Sequence, residues 1–502
     1  MRAKWLRGAR GTAILALWIV MMGLLIQRER EARRPVDAPP VEWREPTETA
    51  GVAGPAREQW MGVYLNGTKL GYTVTRRQKK EGILRIVAKS HLLLPLQGQV
   101  RTVETESQVE VDAAQYMRSF SFTLDSEMQR MHVTGRAEPD KLVLRVESGG
   151  TTATRVIPLE KPITVPDAVT PILAGSGRLR ANTTHTLDLF DPVALAPAKA
   201  MVTIGQPEMI EGVDGPIRAL RAEVSYKGFR TTAWVTPDGD TLKEESAMGW
   251  TMVRQSREEA MKPPEGDPQT DLIFSAAVPT NRVLKNPRQV KFLRAELTGA
   301  DFSTLSLATE RQQVEGAESG IVEIRWEVPE AVQALRLPIT TPQMKPYLAP
   351  DLLVQSDDPA IIETARKIVG RETDSWKAAV RIARWVHREV EKSPTVSVPS
   401  ALEVLRTRKG DCNEHTVLFV ALARAAGIPA EIAVGIVYLN GSFFYHAWPR
   451  VWVGQWVSMD PTFGQEVADA THIELVHGGL DRQSEIVRLI GRLRVRIIKV
   501  EE

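Results

Sequence analysis

One cysteine occurs in 502 residues, within Lys409-Gly410-Asp411-Cys412-Asn413-Glu414-His415. Asp411 is suited to cap a helix, and Glu414 three residues later has capping-box spacing. Cys412 becomes the first helical residue, where unpaired amides and the positive dipole end favour an anion. The sequence therefore predicts a thiol with a lowered pKa. Such a thiol does acyl-transfer chemistry when a base, and a group that orients the base, lie close by. His446 and Asp460 are the candidates for those two parts.

The elements that must position them are legible downstream. The run Val417-Leu418-Phe419-Val420-Ala421-Leu422 is apolar nearly all round and reads as a buried core helix, which Gly427 and Pro429 terminate. Ile432–Tyr438 and Phe443–Val453 read as strands joined by a tight Asn440-Gly441 turn, and Gly454 turns the chain into Trp456–Asp460. A hairpin folded near Val453-Gly454 sets His446 opposite Asp460, and opposed residues share a face of the sheet. Upstream, helices are expected over Pro359–Val369, from Asp374 onward, and over Ser400–Arg406. The 392–400 segment is expected to lie over the site.

Gly-Asp-Cys-Asn-Glu-His at 410–415, Ala-Gly-Ile-Pro-Ala at 426–430, Tyr-His-Ala-Trp at 445–448 and Asp-Pro-Thr at 460–462 together resemble the bacterial transglutaminase-like core. That core is a branch of the papain-like cysteine hydrolases, and the resemblance spans roughly residues 350 to 480. It implies that Cys412 is nucleophile, His446 general base and acid, and Asp460 the group that orients His446. It leaves the reaction open among amine transfer, peptide hydrolysis, other amide hydrolysis and lost catalysis. Animal cross-linking members have tryptophan directly after the nucleophile where this chain has Asn413, so glutamine specificity and calcium dependence do not follow.

Length suggests about three domains. A formal charge of +2, with 25% charged residues, gives no electrostatic case for nucleic acid as a partner. No intramolecular disulfide is possible, no Cys/His cluster has zinc-site spacing, and no cofactor is predicted. Residues 1–34 read as a single transmembrane signal anchor: Arg2, Lys4, Arg7 and Arg10 precede the apolar run Gly11–Ile26. Residues 35–57 read as a proline-rich tether. Alternating patterns and turn signals over 58–261 predict an antiparallel β domain, a large curved sheet or open barrel. They include the hairpin turns Asn66-Gly67 and Pro237-Asp238-Gly239, the latter flanked by Ala222–Val235 and Thr241–Glu245. A small β module over 271–345 leads to the catalytic domain at 350–502.

The expected architecture is thus a multidomain chain: an N-terminal anchor, antiparallel β-rich domains, then an α+β transglutaminase-like core. The expected function is that of a membrane-anchored cysteine peptidase or amidase, acting through a thioester on peptide or envelope amides outside the cytoplasm in the periplasm. An amine-transferring cross-linker, and a non-catalytic scaffold whose β domains hold an envelope protein, remain open alternatives. Asp411, Glu414, His415 and Trp448 are supporting candidates. Glu414 is sufficiently explained as a cap, while His415 reads as a structural residue, second base or substrate contact, and Trp448 as a groove wall or ordinary sheet-face packing. Asp469 and His472 read as an ordinary loop.

Overall fold

The structure is a computed structural model that describes residues 57–502, apart from 97–98, 127–128, 214, 227–228, 247–248, 265–275, 303–304, 306, 317–319, 328–334, 394–397, 399, 479–485 and 487–488. The expected anchor and nearly all of the tether lie outside the described residues, as does most of the 392–400 segment. Among the described residues no helix is long and apolar enough to cross a membrane.

The first half of the described chain is a single 15-stranded sheet. Strands alternate buried and exposed residues, as in Met117–Ser126, so one face is apolar. The sheet curls until the Phe120 and Phe190 rings meet at 5.4 Å. Asn66 and Gly67 take the positive φ angles of a hairpin turn. One expected strand is corrected: Ala222–Val235 is not continuous. Gly215–Tyr226 and Phe229–Val235 are separate strands paired antiparallel. A uniform run of alternation does not show where a chain doubles back.

The C-terminal half places four helices against a second sheet: α1 (Pro359–Val369), α2 (Ser375–Glu389), α3 (Ala401–Thr407) and α4 (Cys412–Ala425). The sheet contains β1 (Val278–Pro279), β2 (Ala430–Leu439), β3 (Ser442–Trp452), β4 (Trp456–Ser458) and β5 (Ile473–Gly478). Its order is β1-β3-β2-β5, with β4 also on β3. Helix α4 is buried along nearly its whole length and packs on α1, α2, α3, β2 and β3. The chain terminus, Arg494–Glu501, pairs with Phe292–Thr298. It thereby completes the four-stranded sheet of the small β module.

The edge of β3 is covered unevenly. Strand β1 pairs with Ser442 and Phe443, and β4 pairs with Arg450, Val451 and Trp452. Between them α4 supplies the partner, with the Thr416 hydroxyl donating to the Ala447 carbonyl at 3.2 Å. On the other side Gly435 lies opposite His446. A Cβ there would stand 2.0 Å from the Ile473 carbonyl oxygen and 2.9 Å from the Trp448 ring. Gly435→Ala should therefore cost about 1–3 kcal/mol through overpacking, read as a lower urea midpoint at unchanged slope; an unchanged midpoint would mean that the sheet does not need this close approach.

Candidate active site

Helix α4 begins as its sequence predicts. The Asp411 side chain accepts from the Asn413 amide at 2.9 Å, and the Asp411 amide donates to Glu414 Oε2 at 3.0 Å, completing a capping box. Gly410 has no room for a side chain, since a Cβ would be 2.0 Å from that of Glu414. His415 is buried, and its Nδ1 donates to the Asp411 carbonyl at 2.5 Å, bracing the same turn. Glu414 and His415 thus both hold the start of the helix.

Cys412 is 8% exposed, and its thiol lies at the edge of β3, where the Ala447 backbone offers it a hydrogen bond. The predicted lowering of its pKa does not hold. Burial pushes the thiol well above its ordinary value, and the nearby negative charges of Asp411 and Glu414 add to the rise. The Ala447 bond works the other way and is outweighed. The cap that forms the helix puts carboxylates beside the sulfur, and these and desolvation beat the helix dipole.

His446, one residue before Ala447, donates Nε2–H to Asp460 Oδ2 at 2.8 Å. The expected neighbours do meet, by a different register. Arg450 pairs with Ser458, Val451 with Val457 and Trp452 with Trp456, so the hairpin centres one residue later than predicted. Asp460 lies just past β4 in a turn closed by its own backbone bonds to Gln465, 2.9 and 2.8 Å. Its Oδ1 accepts from the Thr462 and Phe463 amides at 2.8 and 3.0 Å. From α2, His387 Nδ1 bonds the Pro461 carbonyl at 2.8 Å and holds the loop in place.

A second histidine completes the cluster. His472 Nε2 reaches Asp460 Oδ2 at 3.0 Å, while its Nδ1 faces the Asp469 carbonyl at 3.1 Å. Both partners are acceptors, so both nitrogens carry protons and the ring is an imidazolium. Burial opposes that charge, but Asp469 and Asp460 raise the His472 pKa above its ordinary value. Arg288, from the small β module, pairs with Asp469 at 2.7 Å and lies over the Phe463 ring at 4.6 Å. The Asp469 carboxyl is held at about 2 against its burial, mainly by His472 with help from Arg288. Asp460 is likewise held far below the usual carboxylate range by the two histidines, despite burial.

Two carboxylates are balanced by His472 and Arg288, so the cluster brings no net charge to His446. Burial lowers its pKa; Asp460 pulls it back up, and His472 and Arg288 push it down. The His446 ring stacks between Phe463 at 5.0 Å and Trp448 at 6.0 Å. Trp448 is 0% exposed and also edges onto His472 at 5.0 Å. It is therefore part of the cage around the imidazoles, not the wall of an open groove. His446, Asp460 and His472 also have metal-ligand composition, but both Nε2 atoms already bond the shared carboxylate oxygen, so the cluster is satisfied by protons.

The role of Arg288 is not legible in the sequence, because its contact with Asp469 spans 181 residues, and that of His472 is not, because no strand or turn pattern sets it against Asp460. Only the closeness of Asp469 to His472 offered a local signal.

Residues 362–461 match the family model described as the transglutaminase-like superfamily. This chain carries a transglutaminase-like domain. The match takes in Cys412, His446 and Asp460 and ends before Asp469 and His472. The chain is similar to uncharacterised proteins of Mycobacterium leprae (27% identity over 113 residues) and Haemophilus influenzae (38% over 84 residues). These matches cover 20% and 16% of this chain and only 40% and 23% of the relatives. Among solved structures, a candidate cysteine protease from Cytophaga hutchinsonii aligns at 17% identity and TM-score 0.31, over 42% of this chain and 89% of that one. A β-barrel-like protein from Brucella abortus aligns at 12% identity and TM-score 0.32, over 39% and 94%. At such scores neither likeness bears on the chemistry.

The raised His472 pKa carries a stability consequence with a definite sign. A folded-state pKa above the unfolded value of about 6.5 contributes stability below that pH, and the contribution is lost as pH rises through the folded pKa. Thermal melts should thus fall across that window in the wild type and fall less in His472→Gln. His477, raised by its bond to Glu474, acts in the same sense in both proteins and cancels in the difference, while His446, with its lowered pKa, acts below about 6.5. Parallel pH profiles for the two proteins would contradict an imidazolium at 472.

Proposed function

We propose that the transglutaminase-like domain is a cysteine hydrolase that cleaves amide bonds, in peptides or envelope polymers, through a thioester on Cys412. The observation that carries this reading is the 2.8 Å bond from His446 Nε2 to Asp460, beside a cysteine held against Ala447. With Nε2 committed, Nδ1 is the nitrogen left to take a proton. A raised thiol pKa and a lowered imidazole pKa support a resting pair that is uncharged on both sides. Proton transfer from sulfur to His446 Nδ1 then accompanies attack on the carbonyl, as in serine hydrolases, instead of preceding it.

The sulfur bonds to the carbonyl carbon, and the tetrahedral oxygen gathers negative charge. The Cys412 backbone amide at the start of α4 is available as one donor for that oxygen. His446 returns its proton to the leaving nitrogen, the C–N bond breaks, and a thioester remains. Water, deprotonated by His446, then adds to the thioester, and the thiol leaves with the proton. Asp460 stays ionised throughout and fixes the imidazole tautomer. The basic and apolar pattern of residues 1–34 supports a membrane-tethered setting outside the cytoplasm, where water is the abundant acceptor.

A peptide library incubated with the protein in H₂¹⁸O, with dansylcadaverine added, tests the reaction. Cys412-dependent ¹⁸O at new carboxyl groups supports hydrolysis. Dansyl incorporation would move the assignment to amine transfer, and no product of either kind dependent on Cys412 would sink the reading. Cys412→Ala should abolish turnover, and Asp460→Asn should lower kcat by about 10²–10⁴-fold, the range for losing effective general acid–base catalysis. Unchanged kcat in Asp460→Asn would remove Asp460 from the mechanism.

A further inference from the structure

The curled β domain encloses a cavity of about 200 Å³ that the chemistry at Cys412 does not use. The 3₁₀ turn Pro166–Ala168 lies across the concave side of the sheet, touching Ile83–Leu96, Gln99–Val111 and Thr183–Asp191. Met61, Val63, Leu92, Leu189 and Met252 give the cavity an apolar wall. Two carboxylates also line it, Asp167 from the turn and Glu244 from the strand Thr241–Ser246. Neither makes an ion pair among the described residues. Arg77, the cation on the same wall, is already bound to Asp240 at 2.7 Å.

Two further polar atoms on the lining have no hydrogen-bond partner among the described residues: Thr231 Oγ1, on a side chain 2% exposed, and Gln59 Oε1. Buried polar groups are ordinarily satisfied, and an orphan in a native structure calls for an explanation. Here every unmet group can accept. Two acidic groups lack a cation, an amide oxygen lacks a donor, and a hydroxyl, which can accept as well as donate, lacks a partner.

We propose that this cavity binds a small organic cation, a primary amine on a short apolar chain. An ammonium brings one positive charge and three N–H donors with no acceptor, which suits Asp167, Glu244 and the oxygens of Thr231 and Gln59. The alkyl part would cover the apolar wall. The volume is well above the roughly 10–15 Å³ a water needs and below the roughly 300 Å³ where drug-sized pockets begin. A bare metal ion would answer the carboxylates but leave the apolar wall unfilled. Burial, together with the charge of Asp167, pushes Glu244 up to about 7, and burial raises Asp167 despite its bond to Ser107. The acids are thus strained by the want of a counter-ion. This inference is independent of the reaction proposed for Cys412.

Calorimetric titration of the full chain with n-hexylamine, n-hexanol, n-hexanoate and calcium chloride tests it. Hexylamine should bind one to one, at least tenfold more tightly than hexanol, with hexanoate and calcium silent. Glu244→Gln, Asp167→Asn and Thr231→Val should each weaken hexylamine at least threefold while leaving hexanol unchanged. Glu244→Gln should also raise the melting temperature, because it removes a half-buried acid with no ion-pair partner among the described residues; that rise would show the variant folded. Equal binding of alcohol and amine, calcium binding in place of the amine, no amine binding, or undiminished amine binding by the folded variants would each overturn the proposal.

Discussion

The site hangs on one carboxylate. Asp460 receives four hydrogen bonds, two on each oxygen: the backbone amides of Thr462 and Phe463 on Oδ1, and the imidazoles of His446 and His472 on Oδ2. The amides fix where the group points, because they belong to the turn that Asp460 itself begins. The imidazoles fix what it does. One oxygen shared by two rings couples their charges, so a proton held on His472 weakens the hold of Asp460 on a second proton at His446. In a simple Cys–His–Asp set the carboxylate favours imidazolium. Here burial, helped by the fixed cation beside it, outweighs that pull and keeps the His446 pKa below its ordinary value, with a buried thiol of raised pKa nearby.

That balance is assembled from separate parts of the chain. Arg311 donates to the carbonyls of Ala468 and Asp469 at 3.0 and 2.9 Å and makes a buried pair with Glu327 at 2.9 Å. Arg288 neutralises Asp469. The small β module is therefore a wall of the site as well as a lead-in to it. The large β domain also reaches the C-terminal half, through Gln129, whose amide donates to the Val398 carbonyl and to Glu403 of α3, both at 2.6 Å. Removing one partner of the buried Arg311–Glu327 pair would leave an uncompensated charge.

Features set by neighbours in sequence were legible from it. The capping box at Asp411, the bounds of Pro359–Val369, the Asn440-Gly441 turn and the closeness of His446 to Asp460 all follow from patterns within about 15 residues. The register of that last pair differs by one residue from the expected one, because nothing in Val453-Gly454-Gln455 marks which residue centres the turn. The Cys412 pKa was misread for a physical reason: dipole and cap are local and visible, whereas desolvation depends on what the rest of the chain packs over the helix. His472 acquires its charge only from Asp460 and Asp469 in three dimensions, and Trp448 its place against both imidazoles only there.

The protonation of the two rings is the most direct test of this account. Nitrogen-15 NMR of histidine-labelled protein near pH 7, with His446 and His472 assigned by single substitutions, reads which nitrogens carry protons. His472 should be protonated on both nitrogens and His446 on Nε2 alone. A neutral His472, or a His446 protonated on Nδ1, would contradict it.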